Sequence, residues 1–321
     1  MPNDLSNLMN TVAYRFTDLT AYLKPHAAFL SAVTINPVPP EFKQVNDVVK
    51  LNQLAVDGDV VDHQSSTITT ANLSTTPTNI QLTKTPTKTF KIGTYEASRL
   101  ADSPGLLDES FSIVITQFLE HINGILAGLF TTTNFNTTGN IPGTGTGATA
   151  DALSHADATA LWSTLATRKI PVTDTGNVFL ITHPYIYGKM LDDADYTKAT
   201  SIGDQYASQM RTTGSLMPIN GMYPIFDSQA PTSGSGASIA YTSAAFHRRA
   251  VVAQFATPEP PMNGLAYRYA NVFGIPLLIV PNYDTNLGST GGAFNSFTVS
   301  ALWNAIVFRK DHCVLHTTPG A

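Results

Sequence analysis

Two adjoining stretches decide the fold, PTKTFKIGTYE at residues 86–96 and DSPGLLDESFSIVITQFLEHINGILAGL at residues 102–129, because the hydrophobic period changes between them. In the first, Phe90 and Ile92 flank Lys91 with the period of two that marks a strand. In the second, Leu107, Phe111, Val114, Phe118, Ile122, Ile125 and Leu129 recur every three or four residues, while Glu120, His121 and Asn123 fall between them. That spacing predicts one amphipathic helix of about 24 residues, on the order of 36 Å long. Asp102-Ser103-Pro104 supplies its start, Asp108 and Glu109 lie in its first turn where the helix dipole favours carboxylates, and it fades into Thr131-Thr132-Thr133. A helix this long with no equal companion reads as a spine carrying a sheet. Its expected core face is Phe111, Val114, Phe118, Ile122, Ile125 and Leu129.

Upstream, residues 41–98 alternate repeatedly: Val49 and Leu51 against Val48, Lys50 and Asn52, then Ile80 and Leu82 about Gln81. Asp57-Gly58-Asp59 is a turn signal, and Pro77 and Pro86 punctuate long Thr/Ser/Asn tracts and favour edge positions. The segment reads as long antiparallel strands in a two- or three-stranded ribbon. It has too few large apolar side chains to bury a core, and isolated hairpins are marginal in water, so it is expected to lie on another subunit. A flexible loop with nascent strands is the alternative. Asp57, Asp59, Lys84, Lys88 and Lys91 are its candidate inter-subunit contacts, although lysine on a strand edge also serves simply to discourage aggregation. Residues 1–40 read as an arm, with helical spacing of Leu5, Leu8, Met9 and Val12 broken at Pro25, followed by the stiff extended joint Asn36-Pro37-Val38-Pro39-Pro40.

Composition agrees with self-association. The chain has 321 residues, enough for about two domains. Only 13% of them are charged, against roughly 25% in typical soluble domains, while the hydrophobic fraction is 43%. Interface cores are depleted in Lys, Glu and Asp because desolvating unpaired charge is costly. A secreted Thr-rich β-protein shares this composition and stays open as an alternative. With 18 Lys+Arg, 23 Asp+Glu and a net charge of −5, no strongly basic surface is expected to grip nucleic acid. The apolar content excludes global disorder, and no apolar run has the length of a spanning helix, so no membrane partner is expected. The opening Met-Pro-Asn-Asp-Leu lacks a basic n-region and an apolar h-region, and export by a signal peptide is not expected. The single cysteine, Cys313, cannot form an internal disulfide or by itself a thiolate metal site.

Residues 136–296 read as a mixed α/β unit with mobile loops at 136–149, 230–240 and 284–296, and residues 297–321 as a returning strand and tail. Ser154 with Asp157 resembles a weakened capping box ahead of an apolar stripe of Ala158, Leu161, Trp162 and Leu165. Val178–Ile181 reads as a buried strand, Pro184 opens a helix, and another runs from Ile202 to Met210. Asn220-Gly221 signals a hairpin within 216–226, and strands follow near 244–256, 265–272, 277–280 and 297–315.

The chemistry-bearing motifs are sparse. Gly143-Thr-Gly145-Thr-Gly147 lacks the strand, helix and lysine of a phosphate loop. His312 and His316 have helical metal-ligand spacing in a strand context, which favours satisfied structural histidines. Asp192-Asp193-x-Asp195 lacks the glycine and terminal Glu of a calcium loop and reads as a solvated helix end. Arg248 and Arg249, in the densest basic cluster, are candidates for inter-subunit ion pairs or for a phosphate contact. No nucleophile elbow or zinc-protease motif occurs, and neither enzymatic activity nor a cofactor is expected.

In their order, these parts resemble the major capsid protein of tailed bacteriophages, the Hong Kong 97-type α+β fold. Residues 76–82 and 88–96 are similar to the outgoing strand of that family's extended loop, and 108–129 to its spine helix. Val178-Phe-Leu-Ile181-x-x-Pro184-x-x-Tyr187 is similar to the strand and helix of its axial domain, with Gly214–Ile225 and Ala245–Ala250 matching the following strands. The resemblance spans about residues 36–316. It implies an icosahedral shell of pentamers and hexamers around double-stranded DNA, which is met only non-specifically. It further implies synthesis in the host bacterial cytoplasm, residence in the virion, and a portal and a decoration protein as partners. No long charged helical extension precedes the arm, so assembly is expected to use a separate scaffolding protein or an unaided route. Another self-assembling phage protein, such as a tail tube, shares the composition without the spine helix. Removing residues 55–88 is expected to leave a soluble monomer unable to form shells.

Overall fold

A computed structural model describes residues 27–39, 41–42, 44–57, 72–93, 104–135, 140–142, 153–174, 176–197, 204–234, 239–261, 267–272, 274–284 and 294–318. It begins with a short helix, α1 (Ala28–Ala32), and a strand, β1 (Thr34–Pro37). A five-residue helix cannot hold itself together in water; α1 is held by burial of Ala28, Phe29, Leu30 and Ala32. The Phe29 ring lies 4.8 Å from that of Phe130 and 6.5 Å from that of Phe246. Residues 27–33, read from the sequence as part of an arm, therefore belong to the core. β1 keeps the extended form that its proline demands and pairs in parallel with β10 (Val251–Ala256), which pairs antiparallel with β14 (Leu302–Val307). Pro37 ends an edge strand, where its missing N–H costs no ladder bond.

β2 (Val48–Asp57) and β3 (Asn72–Gln81) form an antiparallel ribbon in register from Val48↔Gln81 to Asp57↔Asn72. They pair with no other strand among the described residues. The ribbon is two-stranded because β4 (Thr87–Gly93) leaves it for a second sheet of order β11-β12-β13-β4. There it pairs with β13 (Phe294–Ser300), which pairs in turn with β12 (Ile275–Asp284), and that with β11 (Arg268–Val272). The change of sheet occurs at Lys84, which exchanges backbone hydrogen bonds with Trp303, each 3.0 Å.

The period-3.6 stretch is a single helix, α2 (Pro104–Ala127), with proline in its first turn. Asp108 and Glu109 fall one turn later than expected, so the first turn holds no carboxylate. Val114, Phe118 and Ile122 are buried as predicted, while Ile125 and Leu129 are half-buried against the same cluster. The Phe111 side chain lies outside the described residues. Ile115, Leu119 and Leu126 are buried as well, so the apolar face is broader than predicted and rotated toward them. It shares one core with Phe246, Phe255, Phe297 and Trp303 from the sheets. Phe255 and Trp303 stack at 5.2 Å with planes 9° apart.

A second cluster fills the unit around the largest sheet, whose order is β5-β15-β9-β6-β7. Its strands are β5 (Ile141–Pro142), β6 (Val178–Thr182), β7 (Tyr223–Phe226), β9 (Ala240–His247) and β15 (Cys313–Thr318), with β8 (Thr232–Ser233) added beside β9. Helices α3 (His155–Thr167), α4 (Pro184–Asp192), α5 (Ala194–Thr197) and α6 (Asp204–Thr213) complete it. Leu161 and Leu165 from α3 and Ile186 and Met190 from α4 are fully covered, in one cluster with Val178, Leu180 and Val314. The capping box of α3 is complete: the Asp157 N–H donates to Ser154 Oγ at 3.2 Å and the Ser154 N–H to Asp157 Oδ2 at 3.1 Å.

The Asn220-Gly221 signal needs correction. Both residues have positive φ, 50° and 83°, as a tight hairpin turn requires. Only one bridge, Ile219↔Met222, closes it, and β7 then runs parallel to β6 instead of pairing back. The runs 244–256 and 297–315 are also divided. A 3-10 turn at Arg248–Ala250 separates β9 in the largest sheet from β10 in the three-stranded one. Another at Lys310–His312 separates β14 from β15. The chain thus crosses between sheets twice side by side, joined where the Phe308 N–H donates to Ala250 O at 2.8 Å.

Candidate assembly surfaces

The ribbon is built to extend. Its ten residue pairs span about 34 Å at strand rise. Its inner end is anchored where Val49 and Leu82 bury against Val38, Ala256 and Leu302. There the Asn46 N–H donates to Leu82 O at 2.7 Å and the Leu82 N–H to Asp47 O at 2.8 Å. Beside this anchor Pro37, Pro39, Phe42, Val48 and Leu51 line an open groove of about 530 Å³. Asp57 sits at the outer end of the described part, opposite Asn72, and Asp59 lies outside the described residues.

Lys84, Lys88 and Lys91 are not ribbon residues. Lys84 is fastened to Trp303, Lys88 is exposed opposite Val299, and Lys91 stands opposite Ser296 in the β4–β13 ladder. The Thr-rich run continued the alternating pattern across the change of sheet, so sequence alone did not mark the break.

Arg248 and Arg249 lie at the double crossing. Arg248 donates to Asn177 Oδ1 at 3.1 Å, and Arg249 is exposed. Beneath them the His247 and His312 rings meet edge to face at 5.6 Å. Burial lowers the His312 pKa to about 4, helped by Arg309 and by His247 itself. His247 is lowered too, by burial and then Arg249, although Asp174 Oδ2 stands 3.8 Å from its Nε2. His316 is fully buried 3.8 Å from Asp157 Oδ2, and burial lowers its pKa as well. Among the described residues neither ring nitrogen of His316 nor Nδ1 of His312 has a hydrogen-bond partner. His312 occupies a turn and His316 a strand, so the two do not share a helix face. No group of three metal-ligating side chains occurs among the described residues, and burial raises the Cys313 thiol well above its usual range. None of the helices of the described residues is long and apolar enough to cross a membrane.

The feature missed in the sequence is a buried polar knot. Asn123, assigned to the polar side of α2, is completely covered. Its Nδ2 donates to Asp227 Oδ2 at 2.7 Å and to Gln229 Oε1 at 2.9 Å, and its Oδ1 accepts from the Leu30 N–H at 3.1 Å. Asp227 also accepts from the Ala28 N–H at 3.1 Å and the Gln229 N–H at 2.8 Å. Glycine at 124 lets Gln229 approach, since a Cβ there would stand 3.3 Å from its Oε1. The knot ties α1, α2 and the turn after β7 together. Spacing of Ile115, Leu119, Ile122, Leu126 and Phe130 carried the signal, because Asn123 falls inside that stripe.

No family model and no curated protein matches the chain. Solved structures do. A chain of the cyanophage A-1(L) capsid asymmetric unit superposes with a TM-score of 0.59 at 11% identity, covering 92% of this chain and 93% of that one. A chain of the bacteriophage PhiM1 mature capsid gives 0.57 at 11% identity, covering 90% and 86%. The capsid of Ralstonia phage GP4 gives 0.55 at 14% identity, covering 93% and 92%. The α+β fold of this chain is the one found in these phage capsids.

Proposed function

We propose that this chain is the major capsid protein of a tailed bacteriophage, self-assembling into the icosahedral shell around its double-stranded DNA. What carries the reading is the match to phage capsid chains over nearly the whole length, joined to a long ribbon whose strands, among the described residues, pair only with each other. In this reading α2 is the spine helix of a peripheral domain, and the largest sheet with α3 and α4 is the axial domain. The β2–β3 ribbon is the extended loop laid over a neighbouring subunit, with Asp57 and Asp59 among its contacts, and the N-terminal residues form the arm. Pentamers and hexamers build the shell, assisted by a separate scaffolding protein, a portal and a decoration protein. A net charge of −5 suits a lumen that must not hold DNA fast. The role is structural and not enzymatic.

The register defines a clean test. Deleting 55–88 would remove Leu82 and Lys84 and damage the body, whereas replacing residues 54–75 by Asn-Gly joins Gln53 to its partner Thr76. The unaltered chain, expressed alone or with its neighbouring genes, is expected to give shells in negative-stain micrographs. The shortened one should give a folded subunit with the same melting profile and no shells. Normal shells from the shortened chain overturn the role of the ribbon. Tubes or a stable monomer from the unaltered chain overturn the shell itself.

A further inference from the structure

Helix α3 separates two patches of opposite charge. At its C-terminal end the Arg168 guanidinium donates to the carbonyls of Asp311 at 3.1 Å and Cys313 at 2.8 Å, fixing the helix against the double crossing. Arg168, Lys169, Arg248, Arg249, Arg309 and Lys310 gather there against Asp174 and Asp311, a surplus of four positive charges in a net-negative chain. Among the described residues the buried Nε of Arg309 has no acceptor, and Arg249 and Lys310 are exposed. Among the described residues the ion pairs are those of His247 and His316, so no carboxylate reaches Arg248, Arg249, Arg309 or Lys310.

At the N-terminal end of α3, Tyr196 places its ring 5.7 Å from that of His155 and donates its hydroxyl to Leu153 O at 3.2 Å. This holds Asp192, Asp193 and Asp195 beside that end. Asp192 is the last residue of α4 and Asp193 its C-cap, the negative pole of the helix dipole, where carboxylates are disfavoured. Asp192 and Asp195 are exposed and unpaired among the described residues, and Lys189 turns instead to the Tyr185 ring at 5.6 Å. Burial, then Asp193, Asp157 and Asp195, push the Tyr196 hydroxyl pKa well above its usual range, as a negative field requires.

The 13 residues of α3 put these patches about 20 Å apart, more than two Debye lengths at physiological salt, so they do not neutralise each other within one chain. Patches that fit each other but not themselves make a head-to-tail contact, which closes into a ring when the rotation allows. We infer that Asp192 and Asp195 of one copy pair with Arg249 and Lys310 of the next, with Arg248 and Arg309 beside them; the contact rests on the shell reading above. A polyphosphate fits less well, since four surplus charges release few counterions, whereas carboxylates in similar number stand on the same chain.

Arg249→Glu/Lys310→Glu and Asp192→Lys/Asp195→Lys each reverse one patch at exposed positions, with circular dichroism and melting as folding checks. Each half-reversed chain is expected to need about tenfold more protein to assemble at physiological salt. The neutral pair Arg249→Gln/Lys310→Gln should shift assembly the same way by less. The chain carrying all four reversals regains normal assembly, and an equimolar mixture of the two half-reversed chains forms rings that neither forms alone. Unimpaired shells from both half-reversed chains overturn the contact and leave the capsid reading intact, as does a fourfold variant no better than its halves. Normal assembly with lost nucleic-acid retention in Arg249→Glu/Lys310→Glu overturns it in favour of phosphate binding. An unaltered chain that forms no oligomer overturns both readings together.

Discussion

Replacing Asn123 by Leu tests whether the polar knot holds the N-terminal segment in the core. The substitution keeps the size of the side chain and removes three hydrogen bonds, to Asp227, Gln229 and the Leu30 N–H. Gln229 is half-buried and finds water instead. The Leu30 N–H and the Asp227 carboxylate cannot, because Leu30 and Asp227 are 1% and 2% exposed. An unpaired buried amide costs about 1–2 kcal/mol and a carboxylate short of a donor about 2–3 kcal/mol. Apolar burial of the leucine returns about 1 kcal/mol. The net loss is about 3 kcal/mol, a large part of the 5–15 kcal/mol typical of whole domains. Urea unfolding of the dilute, unassembled chain measures it, and hydrogen exchange locates it, since the Ala28 and Leu30 amides should lose protection first. A loss under about 1 kcal/mol with both amides still protected would refute the reasoning.

Acid should weaken the double crossing: His312 has a folded pKa of about 4 against 6.5 unfolded, so its stabilisation is complete above pH 6.5 and lost as the pH falls toward 4. Allowing for solvent screening of a partly exposed ring, His312→Gln should remove about 1–2 kcal/mol of that pH dependence, read from urea curves at several pH values. Ser154→Ala breaks the capping box of α3 and should cost about 1 kcal/mol, or about 2 °C in melting temperature by calorimetry. Phe118→Asp puts an uncompensated charge at a site 4% exposed and should abolish the folded circular-dichroism signal, whereas a soluble variant with unchanged melting would count against the packing of α2.

Elements whose signal is local were legible in the sequence. The period of α2, the cap of α3, Pro184 at the start of α4 and the alternation of β2 and β3 each follow from a few neighbouring residues, and each is present. What depends on distant partners was not legible. Phe90 and Ile92 alternate equally well on a ribbon or in the ladder with β13, and only the 209 residues of separation closed between Thr89 and Thr298 decide which. A lone Asn in an apolar stripe looks solvent-facing until a carboxylate from Asp227, 104 residues away, meets it. The basic cluster at 247–249 was legible as a candidate for ion pairs, but its full extent was not, because Arg309 and Lys310 reach it only through the second crossing.

The low charge of the chain and the placement of what charge it has are one argument. Desolvation makes a charge inside a contact costly unless a partner meets it, so a surface meant to be covered keeps few charges. Those that remain are then expected in matched sets, where they set the direction of approach more than its strength. About α3, the exposed cations Arg249 and Lys310 stand at one end and the exposed carboxylates Asp192 and Asp195 at the other, none of the four in an ion pair among the described residues. Both ends are rigid, one held by Arg168 to β15 and the other by Tyr196 to Leu153. The angle between successive copies would therefore be fixed by the same buried elements that fix the fold, and the inner end of the ribbon is tied to that body through Val49, Ile80 and Leu82.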